Sequence, residues 1–445
     1  MSKTGSRPIG EAQPEPNRTR RNGNSALLIL GALVAGLLLG ILVGQAGEGW
    51  REPLVEAAAL VGGLWLDALR MTVIPLIVAL LVTGIVGGAD AARAGGMAAR
   101  AVAWFLAFYV FSAVFGGLGM QALTALFPLP EEGAAALRAG LASVEEPVSS
   151  AAVPGVADFF RGIIPANPVG AAANDQILPL VVFTVVFAFA LSRVAAERSR
   201  PAIAFFAAVG DAMLVVIGWV LWLAPVGVLA LAFAVGAGAG GSALGAVAHY
   251  VVLISLLGIG IMLVGYAIAL LVARFRPGAF LRAMAGPSAV AVSTRSSLAS
   301  LPAMLASARS LGVDEGKADV LLPLAVALFR ATGPAMNIGV AVYVAHWWGI
   351  TITPWGFAAG VAVAAMASIG AVSLPGQVSF VTSIAPISLA MGVPIEPLAL
   401  LIAVETIPDI FRTLGNVTLD VAVTGAVARA EGDALTDDLP ADQTA

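Results

Sequence analysis

Apolar stretches of about 20 residues recur along the chain, and a helix of this length crosses the hydrocarbon core of a bilayer. Only 11% of the 445 residues are charged, whereas a soluble domain carries about 25% because water must solvate its surface. The sequence therefore predicts an all-α polytopic membrane protein surrounded by lipid, and not a soluble enzyme. Examples of these stretches are residues 25–45, 73–87, 101–126, 177–194, 213–236 and 251–273.

Basic residues favour one orientation of the chain in the membrane. Lysine and arginine precede the first apolar stretch, and arginines recur near residues 93–100, 193–200 and 274–282. The alternate connections carry fewer cations, and residues 130–150 hold four glutamates and one arginine. Because cytoplasmic loops of membrane proteins are rich in lysine and arginine, both termini and the basic loops are expected to be cytoplasmic.

Composition separates the ends of the chain from its body. Residues 1–24 are polar and rich in Pro and Arg, and residues 431–445 are acidic, so both are predicted to be disordered cytoplasmic tails. A secretory signal is the alternative at the N-terminus, but the apolar stretch there is longer than a signal core. The chain has no cysteine, which excludes disulfides and thiolate chemistry, and its charge does not suit nucleic acid.

The pattern changes after residue 275, where an apolar segment becomes too short to cross a bilayer. Residues 279–292 lead into the polar string Ser-Thr-Arg-Ser-Ser at 293–297, and helix-like sequence resumes at 301–312. A polar turn between two half-length segments is typical of a re-entrant hairpin, whose irregular backbone must lie against protein or a water-filled cavity. Residues 321–348 follow and are predicted to form one long helix.

The same arrangement recurs nearer the C-terminus. Residues 357–371 and 377–391 flank the string Ser-Leu-Pro-Gly at 373–376, and residues 398–429 follow as a second long helix. Matching interruptions in two halves of a membrane protein indicate the binding site of a transporter. The alternative is two Pro- and Gly-rich loops between ordinary helices.

The last of these predicted helices carries charge inside an apolar segment. At 100° per residue, six polar side chains fall within an arc of roughly 100°. An ionisable side chain at mid-bilayer costs about 2.5–3.5 kcal/mol, so this face is expected to line a cavity or an internal network. A purely stabilising ion network is the alternative, although buried ion pairs seldom offset their desolvation. The six residues are Glu405, Asp409, Arg412, Thr413, Asn416 and Asp420.

Six short strings, in the same order, resemble motifs of the dicarboxylate/amino acid:cation symporters, the family of glutamate and aspartate transporters. The resemblance extends from about residue 69 to residue 430. The strings are Met-Thr-Val-Ile-Pro-Leu at 71–76, Asn-Asp-Gln-Ile-Leu-Pro at 174–179, Ala-Pro-Val-Gly at 224–227, the string at 293–297 with Leu-Pro at 301–302, Ser-Ile-Gly at 368–370 with Leu-Pro-Gly at 374–376, and the charged face at 409–420.

This resemblance implies a glutamate-transporter-like fold of eight transmembrane helices and two re-entrant helical hairpins, built as inverted repeats. Residues 25–275 would supply six helices that form mainly a scaffold and a trimer interface. Residues 276–430 would form the core of a transport domain (hairpin 1, helix 7, hairpin 2 and helix 8) that carries a small anionic substrate across the bilayer as an elevator. The resemblance further implies a homotrimer in a plasma membrane, the inner membrane of a bacterium.

Roles for individual residues follow from the same resemblance. In the family the position of Arg412 binds a side-chain carboxylate, that of Asp409 receives the substrate's α-ammonium, Thr413 and Asn416 occupy further substrate positions, and Asp420 occupies a cation position. The residue chemistry agrees, because arginine offers a carboxylate two parallel donors and backbone N–H groups at hairpin tips suit an α-carboxylate. An acidic amino acid is the expected substrate, since dicarboxylate carriers of the family usually lack the Asp. The tips comprise Arg295, Ser296 and Ser297 in the first hairpin and Leu374, Pro375 and Gly376 in the second.

The cation motif of the family departs from its pattern in this chain. Ungapped counting places Phe-Arg-Ala-Thr-Gly, residues 329–333, where the family has Asn-Met-Asp-Gly-Thr, so the Asn and the Asp are both missing. A competing alignment uses residues 336–339 but needs an insertion and still lacks the Asp. Ala371 replaces a threonine at a second cation position. The sodium sites of the family are therefore predicted to be degraded.

We hypothesise that Arg330 takes the electrostatic role of bound sodium by pairing with Asp409, Asp420 or the substrate. The alternative is that Arg330 points to a helix end or an interface. Glu405 is the candidate proton carrier, because burial disfavours a charged carboxylate, and Asp420 with Asn416 is a candidate residual sodium site. No cofactor is expected beyond such a coupling ion, and exchange or uniport without one is equally compatible with the sequence.

Other functions stay open at this stage. If Arg330 neutralises Asp409, the ammonium partner is lost and a dicarboxylate becomes the better substrate. An anion channel lined by arginines is a rival from another class. An enzyme that uses Asp409 and Glu405 as acid and base is a more distant one, since no nucleophile or metal cluster accompanies them.

Overall fold

The computed structural model describes residues 17–45, 48–93, 95–129, 134–135, 138, 164–174, 176–239, 242–369 and 376–432. Within these ranges every regular element is a helix, which agrees with the predicted all-α polytopic architecture. Five spans are long and apolar enough to cross a membrane, namely Arg51–Ala89, Gly96–Leu126, Ala196–Trp222, Leu244–Leu271 and Glu315–Trp348. The helices are α1 (Asn17–Gly44), α2 (Glu48–Arg93), α3 (Gly96–Leu126), α4 (Pro168–Ala173), α5 (Ile177–Leu191), α6 (Ala196–Trp222), α7 (Ala224–Ala239), α8 (Ser242–Leu271), α9 (Pro277–Thr294), α10 (Ser297–Ser310), α11 (Glu315–Leu328), α12 (Thr332–Trp348), α13 (Pro354–Ile369), α14 (Gly376–Ala390), α15 (Glu396–Leu401) and α16 (Thr406–Ala430).

The first helix begins earlier than the sequence predicts. α1 starts at Asn17, so it includes the last eight positions of the tail predicted over residues 1–24. Extending a helix that already exists adds one hydrogen bond per residue without a new nucleus, and polar residues can follow an apolar helix in this way. Residues 1–16 and 433–445 lie outside the described part of the chain.

Three apolar segments that the sequence predicts as continuous are divided in the structure. Short breaks separate α6 from α7, α11 from α12 and α15 from α16. Each break directly precedes a proline in the first turn of the following helix, namely Pro225, Pro334 or Pro408. A proline ring clashes with the carbonyl four residues earlier and its nitrogen donates no hydrogen bond, so a new helix starts there.

Small residues bring α1 and α7 into close contact. A Cβ atom added at Gly40 would lie 2.2 Å from the carbonyl oxygen of Phe233, and one at Gly236 would lie 2.4 Å from that of Leu37. Only glycine therefore fits at these crossing points, as in other membrane helices that approach through small residues. α2 packs along α5, α6 and α7 and completes this first group of helices.

A second group of helices surrounds α16. α8 runs along α16, and α9, α10 and α11 contact it as well. α3 lies against α12 and α13, so α3 and α8, although they belong to residues 25–275, pack mainly with later helices. α2 also touches α3, α13 and α14, which places it between the two groups.

Two packed helix pairs lie where the sequence predicts hairpins. α9 and α10 pack together, and the chain turns between them at Arg295, whose φ of 51° is in the left-handed region. Ser296 then caps α10, because its Oγ accepts a hydrogen bond from the N–H of Ala299 at 3.2 Å. α13 and α14 form the second pair. Its predicted tip, with Leu374 and Pro375, lies outside the described residues, and Gly376 begins α14.

We expect Gly40→Ala to lower the thermal stability of the detergent-solubilised protein, because the added methyl forces α1 and α7 apart and overpacking costs about 1–3 kcal/mol. Gly31→Ala is the matched control on the same helix, where an added Cβ meets nothing within 4 Å. The measurement is the midpoint of heat-induced loss of the monodisperse peak in size-exclusion chromatography. Equal midpoints for the two variants would contradict this account of the contact.

Candidate functional site

The charged face predicted on the last helix is buried inside the second group of helices. Its members extend from Glu405, in the turn before α16, to Asp420 in the middle of α16, and each is at most 7% exposed. Three carboxylates and one guanidinium on this face are thus removed from both lipid and water. Such groups must find their partners within the protein. The six are Glu405, Asp409, Arg412, Thr413, Asn416 and Asp420.

Arg412 is held by three side chains. Its Nη2 donates to Glu405 Oε1 at 2.8 Å and its Nη1 donates to Asn337 Oδ1 at 2.7 Å. Its Nε lies 3.8 Å from Asp409 Oδ1, in a longer ion pair. The second oxygen of Glu405 lies 3.4 Å from the hydroxyl of Tyr250, which donates to it from α8. In this arrangement the edge of the guanidinium that carries Nη1 and Nη2, which could bind a carboxylate, is already occupied by Glu405 and Asn337.

Arg330 lies in the break between α11 and α12, close to the same carboxylates. It interacts electrostatically with Asp409, Asp420 and Arg412. Asp420 is fully buried, and neither of its carboxylate oxygens has a hydrogen-bond partner among the described residues. Arg330 is the counter-charge that acts on it. Arg295, at the tip of the first hairpin, also acts on Asp409.

Side chains of α3 support the broken backbone around Arg330. The hydroxyl of Ser112 donates to the carbonyl oxygen of Ala331 at 2.6 Å and accepts from the N–H of Ala335 at 3.1 Å. Tyr109 donates to the carbonyl of Leu328 through its hydroxyl. A helix break leaves N–H and C=O groups without intrahelical partners, and buried groups of this kind are costly when unpaired. α3 therefore makes the break tolerable at this depth.

The start of α12 is fastened to the middle of α16. Asn416 Oδ1 accepts from the backbone N–H of Thr332 at 2.9 Å and from its hydroxyl at 2.8 Å. Gly415 allows the contact, because a Cβ there would lie 2.4 Å from Thr332 Cγ2. The amide oxygen of Asn416 thus serves as a helix cap. Among the described residues no three His, Asp or Glu side chains gather as a metal site.

A small cavity opens between α12, α16 and the helices of the second hairpin. Two guanidinium groups face it, together with side-chain amides and hydroxyls, so its walls are rich in hydrogen-bond donors. Sites of this composition suit carboxylates, which accept several such bonds. The lining residues are Arg330, Gly333, Asn337, Ala367, Ser368, Ser383, Arg412 and Asn416.

The structure brings together most of the residues that the sequence singles out, and it gives some of them other partners. Thr413 uses its hydroxyl inside α16, where it donates to the carbonyl oxygen of Asp409 at 2.9 Å. Ser296 caps α10, and Ser297 is the first residue of that helix. No ligand contact tests their predicted roles in substrate binding, which stay predictions.

Sequence reasoning missed three contributors to the cavity and the ion pair. Asn337 entered only through a competing alignment, and Ser383 and Tyr250 were not considered. Asn337 had a usable signal, because a polar amide inside an apolar helix needs an internal partner. Tyr250 had none, since tyrosine is common in membrane helices and its partner Glu405 is 155 residues away.

The described residues form helices only, several of them long enough to cross a membrane, and they enclose an arginine-lined cavity at broken helices. This combination is typical of a polytopic membrane transporter. The sequence model of the sodium:dicarboxylate symporter family matches residues 26–430 of this chain. The chain therefore belongs to this family, and the resemblance seen in its six strings is confirmed.

Similar proteins cover nearly the whole chain. The proton/sodium-glutamate symport protein of Bacillus subtilis is 28% identical over 407 residues, which are 90% of this chain and 92% of that protein. The C4-dicarboxylate transport protein of Rhizobium johnstonii is 28% identical over 428 residues, 93% of this chain and 90% of that protein. The neutral amino acid transporter B(0) of Oryctolagus cuniculus is 30% identical over 451 aligned positions, with 93% and 82% covered.

We expect Ser112→Ala to destabilise the protein by about 1–3 kcal/mol, because it leaves a buried carbonyl and a buried N–H at the helix break without partners. Thr184→Val is the control, since this buried hydroxyl bonds only within its own helix, to Leu180 at 2.7 Å. Thermal unfolding in detergent measures both. An effect of Thr184→Val as large as that of Ser112→Ala would argue against a special role for the bridge.

Proposed function

We propose that this protein is a secondary active transporter for a small anion with two carboxylates, either an acidic amino acid such as aspartate or glutamate or a C4-dicarboxylate. The observation that carries the proposal is the cavity that Arg330 and Arg412 line together. Two guanidinium groups at one buried site suit a substrate with two carboxylates. Names of relatives, a glutamate symport protein and a C4-dicarboxylate transport protein, support the same substrate class.

Asp409 decides between the two kinds of substrate. Its carboxylate lies one helical turn from Arg412, where it could receive the α-ammonium of an amino acid, and we favour an acidic amino acid on this ground. The second candidate, a dicarboxylate without an amino group, is favoured by the charges around Asp409. The positive charges of three arginines act on Asp409, those of Arg412, Arg330 and Arg295. Together they reduce the attraction of its carboxylate for another cation.

Charge compensation supports transport without sodium. The cluster contains as many positive as negative groups, since its three arginines are matched by three carboxylates. These residues are Arg295, Arg330 and Arg412, and Glu405, Asp409 and Asp420. Arg330 occupies the helix break and acts on both aspartates, which is the electrostatic task that a bound cation would perform. We assign this task to Arg330. A residual cation site at Asp420 and Asn416 is less favoured, because Thr332 already engages the amide oxygen of Asn416.

Glu405 is the proposed proton carrier. A substrate carboxylate can form two parallel hydrogen bonds with Arg412 only if it displaces Glu405 or Asn337 from the guanidinium. A buried carboxylate that loses its arginine is most easily neutralised by a proton, since an unpaired charge is costly there. One proton would then enter with each substrate. Substrate exchange without net proton movement is the alternative mode.

The family fold completes the proposal. Eight transmembrane helices, two re-entrant hairpins, an elevator movement of the second helix group and a homotrimer in the bacterial inner membrane, with both termini cytoplasmic, are expected for this chain. α9–α10 and α13–α14 supply the two hairpins. The trimer and the elevator are carried over from the family resemblance.

We expect radiolabelled aspartate to accumulate in proteoliposomes when an inward proton gradient is imposed in sodium-free buffer. An internal arginine makes sodium unnecessary, and a displaced Glu405 takes up the proton. Imposing sodium and proton gradients separately, with unlabelled succinate as competitor, provides the measurement. Strict sodium dependence would contradict the role of Arg330. Uptake of radiolabelled succinate without any uptake of aspartate would select the dicarboxylate.

We expect Arg330→Met to reduce sodium-free uptake at least about tenfold, because two buried aspartates lose a counter-charge and such a loss costs several kcal/mol. Arg309→Met is the control, since Arg309 forms half-exposed ion pairs with Glu315 and Asp319. Initial uptake rates with and without sodium are the measurement. Unchanged rates and unchanged cation dependence in Arg330→Met would refute the proposal for this residue.

A further inference from the structure

A row of three aromatic side chains connects the buried Glu405 with the ends of two helices. Tyr250 on α8 donates to Glu405 Oε2 at 3.4 Å. The ring of Tyr343 on α12 meets the ring of Tyr250 edge to face, with centroids 5.3 Å apart. The hydroxyl of Tyr343 lies 3.1 Å from Nδ1 of His249. His249 is only partly buried and lies within two turns of the start of α8.

The other nitrogen of His249 fixes the direction of these hydrogen bonds. Nε2 lies 2.9 Å from the carbonyl oxygen of Phe127, the residue that follows α3. A carbonyl can only accept, so Nε2 carries the hydrogen, and by the same rule the hydroxyl of Tyr343 donates to the carbonyl oxygen of Ala246 at 3.2 Å. The contact between His249 and Tyr343 is therefore a hydrogen bond in which Nδ1–H of a protonated ring donates to the oxygen of Tyr343. The row starts where α3 ends and α8 begins, with an imidazole, and finishes at a carboxylate that can receive a proton.

We propose that His249, Tyr343 and Tyr250 form the route by which a proton reaches Glu405 from the end of the helix bundle. The inference rests on the proposed function, in which Glu405 carries the coupling proton, and it adds the residues that supply it.

The transfer balances in protons. A protonated His249 gives the hydrogen on Nδ1 to the oxygen of Tyr343, Tyr343 gives its own hydrogen to Tyr250, and Tyr250 gives its own to Glu405. Both tyrosines end neutral, His249 returns to its neutral form, and the net change is one proton moved to the carboxylate. The step between the two phenols needs the hydroxyl of Tyr343 to turn from Ala246 towards Tyr250, or one bridging water.

The ionisable groups around the two ends of the row set the conditions for transfer. Glu405 faces Arg412 and Asp409 on α16 and Tyr250 on α8. His249 faces Tyr343 and His346 on α12. While Arg412 pairs with Glu405, the guanidinium favours the charged form of the carboxylate. A substrate that takes Arg412 removes this effect and so favours proton transfer, which would link proton movement to substrate binding.

The test separates proton movement from substrate movement. Tyr250→Phe and Tyr343→Phe each remove one hydroxyl and keep the ring, and His249→Gln keeps hydrogen-bonding groups but cannot titrate. The same proteoliposomes are assayed for aspartate accumulation driven by a proton gradient and for aspartate counterflow at equal pH on both sides. We expect gradient-driven accumulation to fall at least about tenfold in all three variants, while counterflow continues in Tyr343→Phe and His249→Gln, whose side chains do not contact the ion pair. Tyr266→Phe is the control on α8, where the ring packs against Phe280, and both assays should be unaffected.

Two results would overturn the route. Variants that keep gradient-driven accumulation would show that the proton reaches Glu405 another way, and variants that lose accumulation and counterflow together would show a structural role for the aromatic row. A wild-type protein that accumulates no aspartate or succinate under a proton gradient would remove the proton coupling itself. That result concerns the proposed function and is seen before any variant is examined.

Discussion

The ion pair between Arg412 and Glu405 is the interaction on which the rest of the site depends. A guanidinium enclosed by apolar helices has no water to solvate it, so the protein must provide its counter-charge and its acceptors. Glu405 provides the charge and Asn337 the second acceptor, at 2.8 and 2.7 Å. Asn337 lies on α12 and Glu405 in the turn before α16, so the pair holds two interrupted segments together around one charged group.

The helix breaks follow from the same requirement. A continuous helix uses its own N–H and C=O groups and leaves none for a neighbour, whereas a break releases several. At the α11–α12 break α3 takes up these groups through Ser112 and Tyr109. The break also places Arg330 where its charge acts on both Asp409 and Asp420. Two carboxylates that are expensive in an apolar medium thereby share one fixed cation. The backbone interruption and the charge balance are two aspects of one arrangement.

The sequence predicts the parts of this arrangement that depend on local periodicity. The charged face of α16 follows from residue spacing alone, and the turn at 293–297 follows from a polar string between short apolar segments. The breaks at Pro334 and Pro408 could not be predicted in the same way, because Pro75 and Pro302 remain inside α2 and α10. Whether a proline interrupts a helix depends on neighbours that can pair the released groups, and contacts such as Ser112 with Ala331 join residues that are far apart in sequence.

A second ion pair joins α2 to α15 and bears on the proposed elevator movement. Arg70 lies in the middle of α2, and Glu396, which it contacts, is the first residue of α15. The side chain of Arg70 is 39% exposed and that of Glu396 only 3%. If α15 slides along α2, Arg70 can be solvated in place, whereas Glu396 must find another partner or reach water. The free-energy cost of separating the pair thus falls mainly on Glu396, because its carboxylate is buried. Because neither residue lines the cavity, the contact would change the population of this conformation and not the affinity of the cavity.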